Sequence, residues 1–341
     1  MTKMDAFLQN IQKNDLAPLW EMYEQLVMDE PNRAEPSVIW KWHDMLPMIE
    51  QSADLVHGKA ADHRVLILKN PHLDGRMATT SNIVAAYQCV NPGEKTSPHR
   101  HTPAATRVIL EGAGGGTFVD GKRCAMFDGD LIITPNWTWH CHENDSDSQA
   151  IWLDVLDLPL VGQLDAVFGD MKMEPENHFP QNTSTLADEV YEQGGLTPVL
   201  QGGTKLTEVR HSPRLRYAWD DVQAALSATP VGDDGAQTVC YSNPLDGSDI
   251  LPTHSSKLIA LAKGRATSKI RSTANAVCII IGGEGDSTVG GVTHNWGPRD
   301  IFTLPHWTWT SHSASTDSAK MIVISDSQVM EKLNLYRQEV A

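Results

Sequence analysis

The sequence predicts an all-β protein made of two consecutive small barrels behind a helical N-terminal extension. Three observations predict it. From Arg64 to about Leu158, short apolar runs alternate with Gly, Pro, Asn and Asp turns, the punctuation of a sandwich or barrel. The second half then repeats the first. Phe302-Thr303-Leu304-Pro305-His306-Trp307-Thr308-Trp309-Thr310-Ser311-His312 echoes Ile132-Ile133-Thr134-Pro135-Asn136-Trp137-Thr138-Trp139-His140-Cys141-His142, and Ile279 to Gly285 echoes Val108 to Gly114. Ahead of both halves, residues 5 to 29 carry Phe7, Leu8, Ile11, Leu19, Tyr23, Leu26 and Val27 at helical intervals until Pro31 and Pro36 end the pattern.

In chain order, residues 1–60 form the helical extension. Within it Val38-Ile39-Trp40-Lys41-Trp42 either alternates as a strand or starts a short helix, with both tryptophans as packing residues. Residues 61–165 form the first barrel. Residues 166–240 are a connector packing on both halves, with Pro175, Pro180, Gly194-Gly195, Gly202-Gly203 and a helix-like Asp220 to Leu226. Residues 241–341 form the second barrel with a C-terminal helix.

The chemistry concentrates in the first barrel. His99 and His101, two apart, point to the same face of a strand, and His140 arrives about forty residues later on another. Gly93 and Gly112 bound the first block with tight turns. In the second, Gly129 turns, Asp130 to Thr134 is a strand, Pro135 stops the pairing and His140 opens the next strand. Three imidazoles so placed can hold one metal and leave its opposite positions open, the mark of a catalytic rather than a closed structural site. The competing reading of His140, flanked by Trp137 and Trp139, is a core histidine bonded to a carbonyl. In the repeat the ligand positions fall on Ile270, Ser272 and Thr310, so no second metal is expected. Imidazoles alone do not choose among iron, zinc, copper and nickel.

With 341 residues the chain is long enough for two ordinary domains. Its five cysteines, Cys89, Cys124, Cys141, Cys240 and Cys278, are scattered without close pairs, which points to a reducing, cytoplasmic setting. A net charge of -16 disfavours nucleic acid and anionic membranes. No apolar run is long enough to cross a bilayer, and Met1-Thr2-Lys3-Met4-Asp5 opens no export signal.

The Gly-x5-His-x-His block and the Gly-x5-Pro-x4-His-x3-Asn block ending at Asn144 resemble the two motifs of the cupin superfamily. That resemblance implies a bicupin, two double-stranded β-helix or jelly-roll barrels. Many cupins add a carboxylate ligand three or four residues past the second histidine. Here those positions are Ala105 and Thr106, which leaves the metal its full charge and disfavours a manganese oxalate enzyme or a zinc sugar isomerase.

Further segments make the chain similar to the ring-cleaving gentisate 1,2-dioxygenase family, with its salicylate and 1-hydroxy-2-naphthoate members. They are Pro18-Leu19-Trp20-Glu21, Trp40-Lys41-Trp42, His99-Arg100-His101 through Arg107, Glu111-Gly112, Gly129-Asp130-Leu131, Trp137-Thr138-Trp139-His140 and Trp152 to Asp157. The resemblance implies one iron(II) per chain, in the first barrel, held by His99, His101 and His140. It implies dioxygen and an aromatic hydroxy acid as substrates, with the ring opened between the carboxyl- and hydroxyl-bearing carbons, so that gentisate gives maleylpyruvate. Salicylate, a 5-substituted salicylate or 1-hydroxy-2-naphthoate is the alternative substrate. A homotetramer is implied as well.

Arg107, and Arg64 by a looser match, would clamp the substrate carboxylate, each with a plain ion pair as its alternative. His142 would orient oxygen or take the substrate hydroxyl proton as a side chain that titrates near neutrality, against a rival role as fourth ligand. Gln88 would donate to substrate and Asp154 would orient its neighbours, or both are structural. Val84 stands where the family often has Trp or Tyr, and with the unusual Tyr87 and Thr106 it suggests a wider pocket and a substituted substrate. From another class, a non-catalytic bicupin that binds a small acid competes with all of this. An intact histidine triad beside Arg107 speaks against it.

Overall fold

The structure, a computed structural model, describes residues 2–31, 35–171, 210–317 and 319–341. The turn signals at Pro175, Pro180, Gly194-Gly195 and Gly202-Gly203 lie outside those residues. The chain divides into two compact units, residues 1–33 and 34–341.

The first unit holds two helices, Lys3–Lys13 and Leu19–Leu26, where the apolar period carries one run to residue 29. The break has a local cause. Asp15 adopts a left-handed φ of 56°, and Pro18, which has no N–H, starts the second helix. A capping box fixes the first helix: Asp5 N–H donates to Thr2 Oγ1 and Thr2 N–H to Asp5 Oδ2.

In the second unit, alternating strands build two antiparallel barrels. The large sheet of the first runs in the order Arg216–Tyr217, Leu131–Thr134, Ala105–Glu111, Ala150–Leu156, Val84–Val90 and Val65–Ile67. Facing it are Lys122–Phe127, Ala113–Val119 and His140–Glu143. The second barrel repeats the plan with Ile39–Trp40, Ile301–Leu304, Ala276–Gly282, Lys320–Ser325, Ser255–Leu261 and Ala236–Cys240. Its C-terminal helix, Ser327–Lys332, is followed by a strand, Gln338–Val340, that pairs with Ile270–Ser272.

The halves exchange their leading elements. Ile39–Trp40, which precedes the first barrel, pairs with Phe302 and Ile301 of the second. Arg216–Tyr217, which precedes the second, pairs with Ile132 and Leu131 of the first. The helix after each exchanged strand is capped across the molecule. Asp300 accepts the N–H of Trp42 at the start of helix Trp42–Leu55, and Asp130 accepts that of Trp219 at the start of helix Trp219–Ala228. A carboxylate at a helix N-terminus satisfies an orphan N–H and meets the positive end of the helix dipole. The segment 38–42 is therefore strand and helix start in succession.

Period-two alternation divides each large sheet between two environments. Val108, Leu131, Leu153 and Val155 turn outward and share one apolar core with Leu258, Val277, Ile279 and Ile322 of the second barrel. Each such fully buried side chain contributes about 1.5–3 kcal/mol. Arg107, Trp152 and Asp154, on the alternate positions, turn inward. Tyr87 and Thr106 belong to the outward set. Tyr87 packs on Trp42, and Thr106 hydrogen-bonds His254 of the other half, so neither shapes the first barrel's interior as the sequence suggested.

Candidate metal centre

His99 and His140 sit opposite each other and exchange both backbone hydrogen bonds, His99 N–H to His140 O at 3.0 Å and the reverse at 2.8 Å. That pairing puts both side chains on one face, and His101 joins them two residues along. One ring nitrogen of each lies within 4.8 Å of the other two. In all three the Nδ1 faces a carbonyl: Ser97 O from His99, Pro103 O from His101, Thr138 O from His140. A carbonyl only accepts, so Nδ1 carries the proton and Nε2 offers its lone pair to the shared space. Burial holds all three imidazoles below their usual range, and at His140 the neighbouring His99 and His101 add to it. Three neutral, oriented nitrogens with their outer partners in place fit a divalent metal.

The ligand strand is braced from behind. Arg100, between the two histidines, stacks its guanidinium 4.5 Å from Trp137 and 4.8 Å from Trp139, and its Nε donates to Asp170. Trp137, at a φ of 63°, donates its N–H to His101 O. Gly169 pairs with His101 so closely that a Cβ there would lie 2.6 Å from Arg100 O.

Beside the histidines a buried polar row crosses the barrel floor. Arg107 and Asp154 pair directly, Nε to Oδ1 at 2.8 Å, although the N–H is not aligned along that line. Asp154 Oδ2 also accepts from Trp152 Nε1. Arg107 Nη1 donates to Thr117 Oγ1 at 3.2 Å, and the same oxygen lies 3.1 Å from His142 Nδ1. Since arginine only donates, the Thr117 proton is free for His142 Nδ1, a better acceptor than Met126 Sδ at 3.4 Å. That leaves His142 with Nε2–H, a donor rather than a ligand. Burial, with Arg107 adding to it, pushes His142 well below the usual range, so it is a neutral imidazole and not the near-neutral titrating group the sequence suggested.

Gln88 and Val84 lie on the inward face of their strand, Gln88 opposite Trp152 and Val84 opposite Leu156. Arg64 is not brought to this row. Its guanidinium is turned onto Glu94 and the carbonyls of Cys89 and Val56, so the ion-pair alternative describes it and the clamp does not. Two contributors carried no signal in the chain: Thr117, an ordinary strand threonine, and His63, whose ring lies 6.0 Å from that of His99. All five cysteines are free, and among the described residues no helix is long and apolar enough to cross a membrane.

The second barrel keeps the frame and not the ligands. Ile270 pairs with Thr310 where His99 pairs with His140, and Arg271 stacks over Trp307 and Trp309 as Arg100 does over Trp137 and Trp139.

Among the described residues one three-histidine group able to hold a metal lies in one of two jelly-roll barrels, the layout of a bicupin, and a family model described as Cupin domain matches residues 86–156. The chain is 32% identical to 5-aminosalicylate 1,2-dioxygenase of Comamonas sp over 99% of its length and 90% of the relative's. It is 34% identical to gentisate 1,2 dioxygenase 1 of Aquipseudomonas alcaligenes, covering 97% of this chain and 95% of that one. Among solved structures, salicylate 1,2-dioxygenase from Pseudoaminobacter salicylatoxidans in adducts with gentisate superposes with a TM-score of 0.90 at 28% identity, covering 100% of this chain and 94% of that one. The chain belongs to the gentisate 1,2-dioxygenase family, oxidoreductases that incorporate both atoms of dioxygen.

Proposed function

We propose that the chain is an iron(II)-dependent dioxygenase that opens the ring of gentisate, 2,5-dihydroxybenzoate, between its carboxyl- and hydroxyl-bearing carbons to give maleylpyruvate. The observation that carries this reading is the convergence of three Nε2 lone pairs beside the Arg107 guanidinium. When bound, iron(II) supplies open coordination positions and the electron transfer that lets an electron-rich ring react with dioxygen. His99, His101 and His140 hold it.

Arg107 Nη2, which makes no hydrogen bond among the described residues, receives the substrate carboxylate while Asp154 and Thr117 fix the rest of the guanidinium. His142, kept as Nε2–H by Thr117, donates a hydrogen bond to the oxygen of the bound reactants nearest it. The Gln88 amide, also without a hydrogen bond among the described residues, donates to the substrate from the adjoining strand. Val84 leaves room at the edge of the ring.

That small side chain, with a 5-aminosalicylate enzyme among the relatives, favours a second reading in which a 5-substituted salicylate is the better substrate. Loading the protein anaerobically with iron(II), then following oxygen uptake and products on gentisate, salicylate, 5-aminosalicylate and 1-hydroxy-2-naphthoate, tests both. No oxygen consumption with any of the four removes the reading.

Five free thiols support a cytoplasmic location. Exposed Leu19, Trp20, Tyr23 and Leu26 support self-association through the N-terminal helices, as a homotetramer. Sedimentation of Trp20→Asp beside the wild type checks it.

A further inference from the structure

The two barrels differ in where their inward charge is compensated. Across the floor of the first, adjacent strands align Ala86, Asp154 and Arg107, and acid and base neutralise each other. At the same register in the second, the row is Lys257, Val323 and Cys278. The cation stands at the opposite end of the row, where the first barrel has Ala86, and the acid's position holds a valine. Lys257 has no hydrogen bond or ion pair among the described residues.

Lys257 lines a cavity of about 260 Å³ in the second barrel, where Ile270, Ser272 and Thr310 occupy the register of the lost metal ligands. A second donor faces the same space. His312 lines it, with Nδ1 2.7 Å from Ser287 Oγ, which also accepts from Trp296 Nε1 at 2.9 Å. The indole only donates and Ser287 is fully buried, so the serine proton goes to His312 Nδ1. His312 therefore carries Nε2–H, and that group has no partner among the described residues. Ile259, Ile270, Leu304 and Val323 supply an apolar wall. An apolar cavity of about 150 Å³ admits a benzene ring, so this one has room for a ring and a carboxylate.

We propose that the second barrel is a binding site for a small organic carboxylate with an apolar body, its carboxylate on Lys257 Nζ and His312 Nε2–H and its body against the apolar wall. An unpaired inward cation next to a neutral N–H donor recognises an anion. The wall of Ile259, Ile270, Leu304 and Val323, set in a lining that also holds Asp234 and Arg271, favours an anion that brings apolar surface. The inference is independent of which substrate the first barrel takes.

The test is calorimetric titration of the full-length protein with benzoate, in the wild type, Lys257→Met, Lys257→Arg and His99→Ala. His99→Ala retains one benzoate per chain, because the site is not the metal centre. Lys257→Met weakens that binding about tenfold or more, and Lys257→Arg restores most of it. Lys257 is solvent-accessible and unpaired, so an unchanged melting temperature in Lys257→Met confirms that the fold is intact. Wild-type benzoate affinity in Lys257→Met overturns the proposal, as does loss of the site in His99→Ala. Inorganic phosphate that displaces benzoate at equal affinity overturns the carboxylate assignment.

Discussion

Arg107 and Asp154 face each other from adjacent strands, ion-paired at 2.8 Å and almost completely buried. Neither charge has bulk water to fall back on, so removing one strands the other. Asp154→Ala is expected to cost about 3–5 kcal/mol in urea unfolding, because it leaves an uncompensated cation and an orphaned Trp152 Nε1–H. The second barrel shows what the same row tolerates when both charges go. Arg107→Cys combined with Asp154→Val copies Cys278 and Val323, and should recover most of that stability while abolishing turnover. A double variant no more stable than Asp154→Ala would sink this account.

Metal content should follow the histidines one for one. Metal analysis of the loaded protein is expected to give about one ion per chain, and His140→Ala close to none. Two ions per chain would mean that the second barrel binds metal through residues other than Ile270, Ser272 and Thr310.

Val84 lies on the inward face two positions from Ala86 and four from Gln88. Val84→Tyr fills the space beside the ring and should lower kcat/KM for 5-aminosalicylate relative to gentisate by about tenfold, the scale of a pocket whose volume is contested. Unchanged relative rates would show that this wall does not touch the 5-substituent.

His312 gives a pH signature in stability. Burial, with Lys257 adding to it, lowers its pKa to about 4, so the folded chain keeps it neutral where the unfolded chain protonates it at its ordinary 6.5. The unfolded state therefore binds more protons between those values. Stability from this group is complete above about pH 6.5 and is lost progressively as pH falls toward 4. His312→Gln should flatten the stability profile in that window by up to about 1.4 kcal/mol per pH unit, read from urea midpoints.

The sequence made the metal ligands legible because their chemistry coincides with local geometry: an i, i+2 pair on a strand and a turn that ends at the third histidine. Duplication made the barrels legible. The helix at Asp220 to Leu226 followed from its period and is seen as Trp219–Ala228. What stayed hidden depends on partners remote in the chain. Arg64 reads as a clamp until Glu94 comes round a turn to meet it. Thr117 gains its role only because Arg107 and His142 arrive on either side of one hydroxyl. The alternation at Trp40 and Trp42 could not disclose that one residue would pair with the far barrel and the next two would start a helix capped from it.

The crossed strands at Ile39–Trp40 and Arg216–Tyr217 also bear on the history of the molecule. Each half completes the other's sheet, so cutting the gene between the repeats would yield two fragments, each missing an edge. A repeat with Ile270, Ser272 and Thr310 at the ligand register cannot then be discarded as a redundant copy. It is held in place by its structural debt to its twin while its interior is left free to drift toward a different ligand.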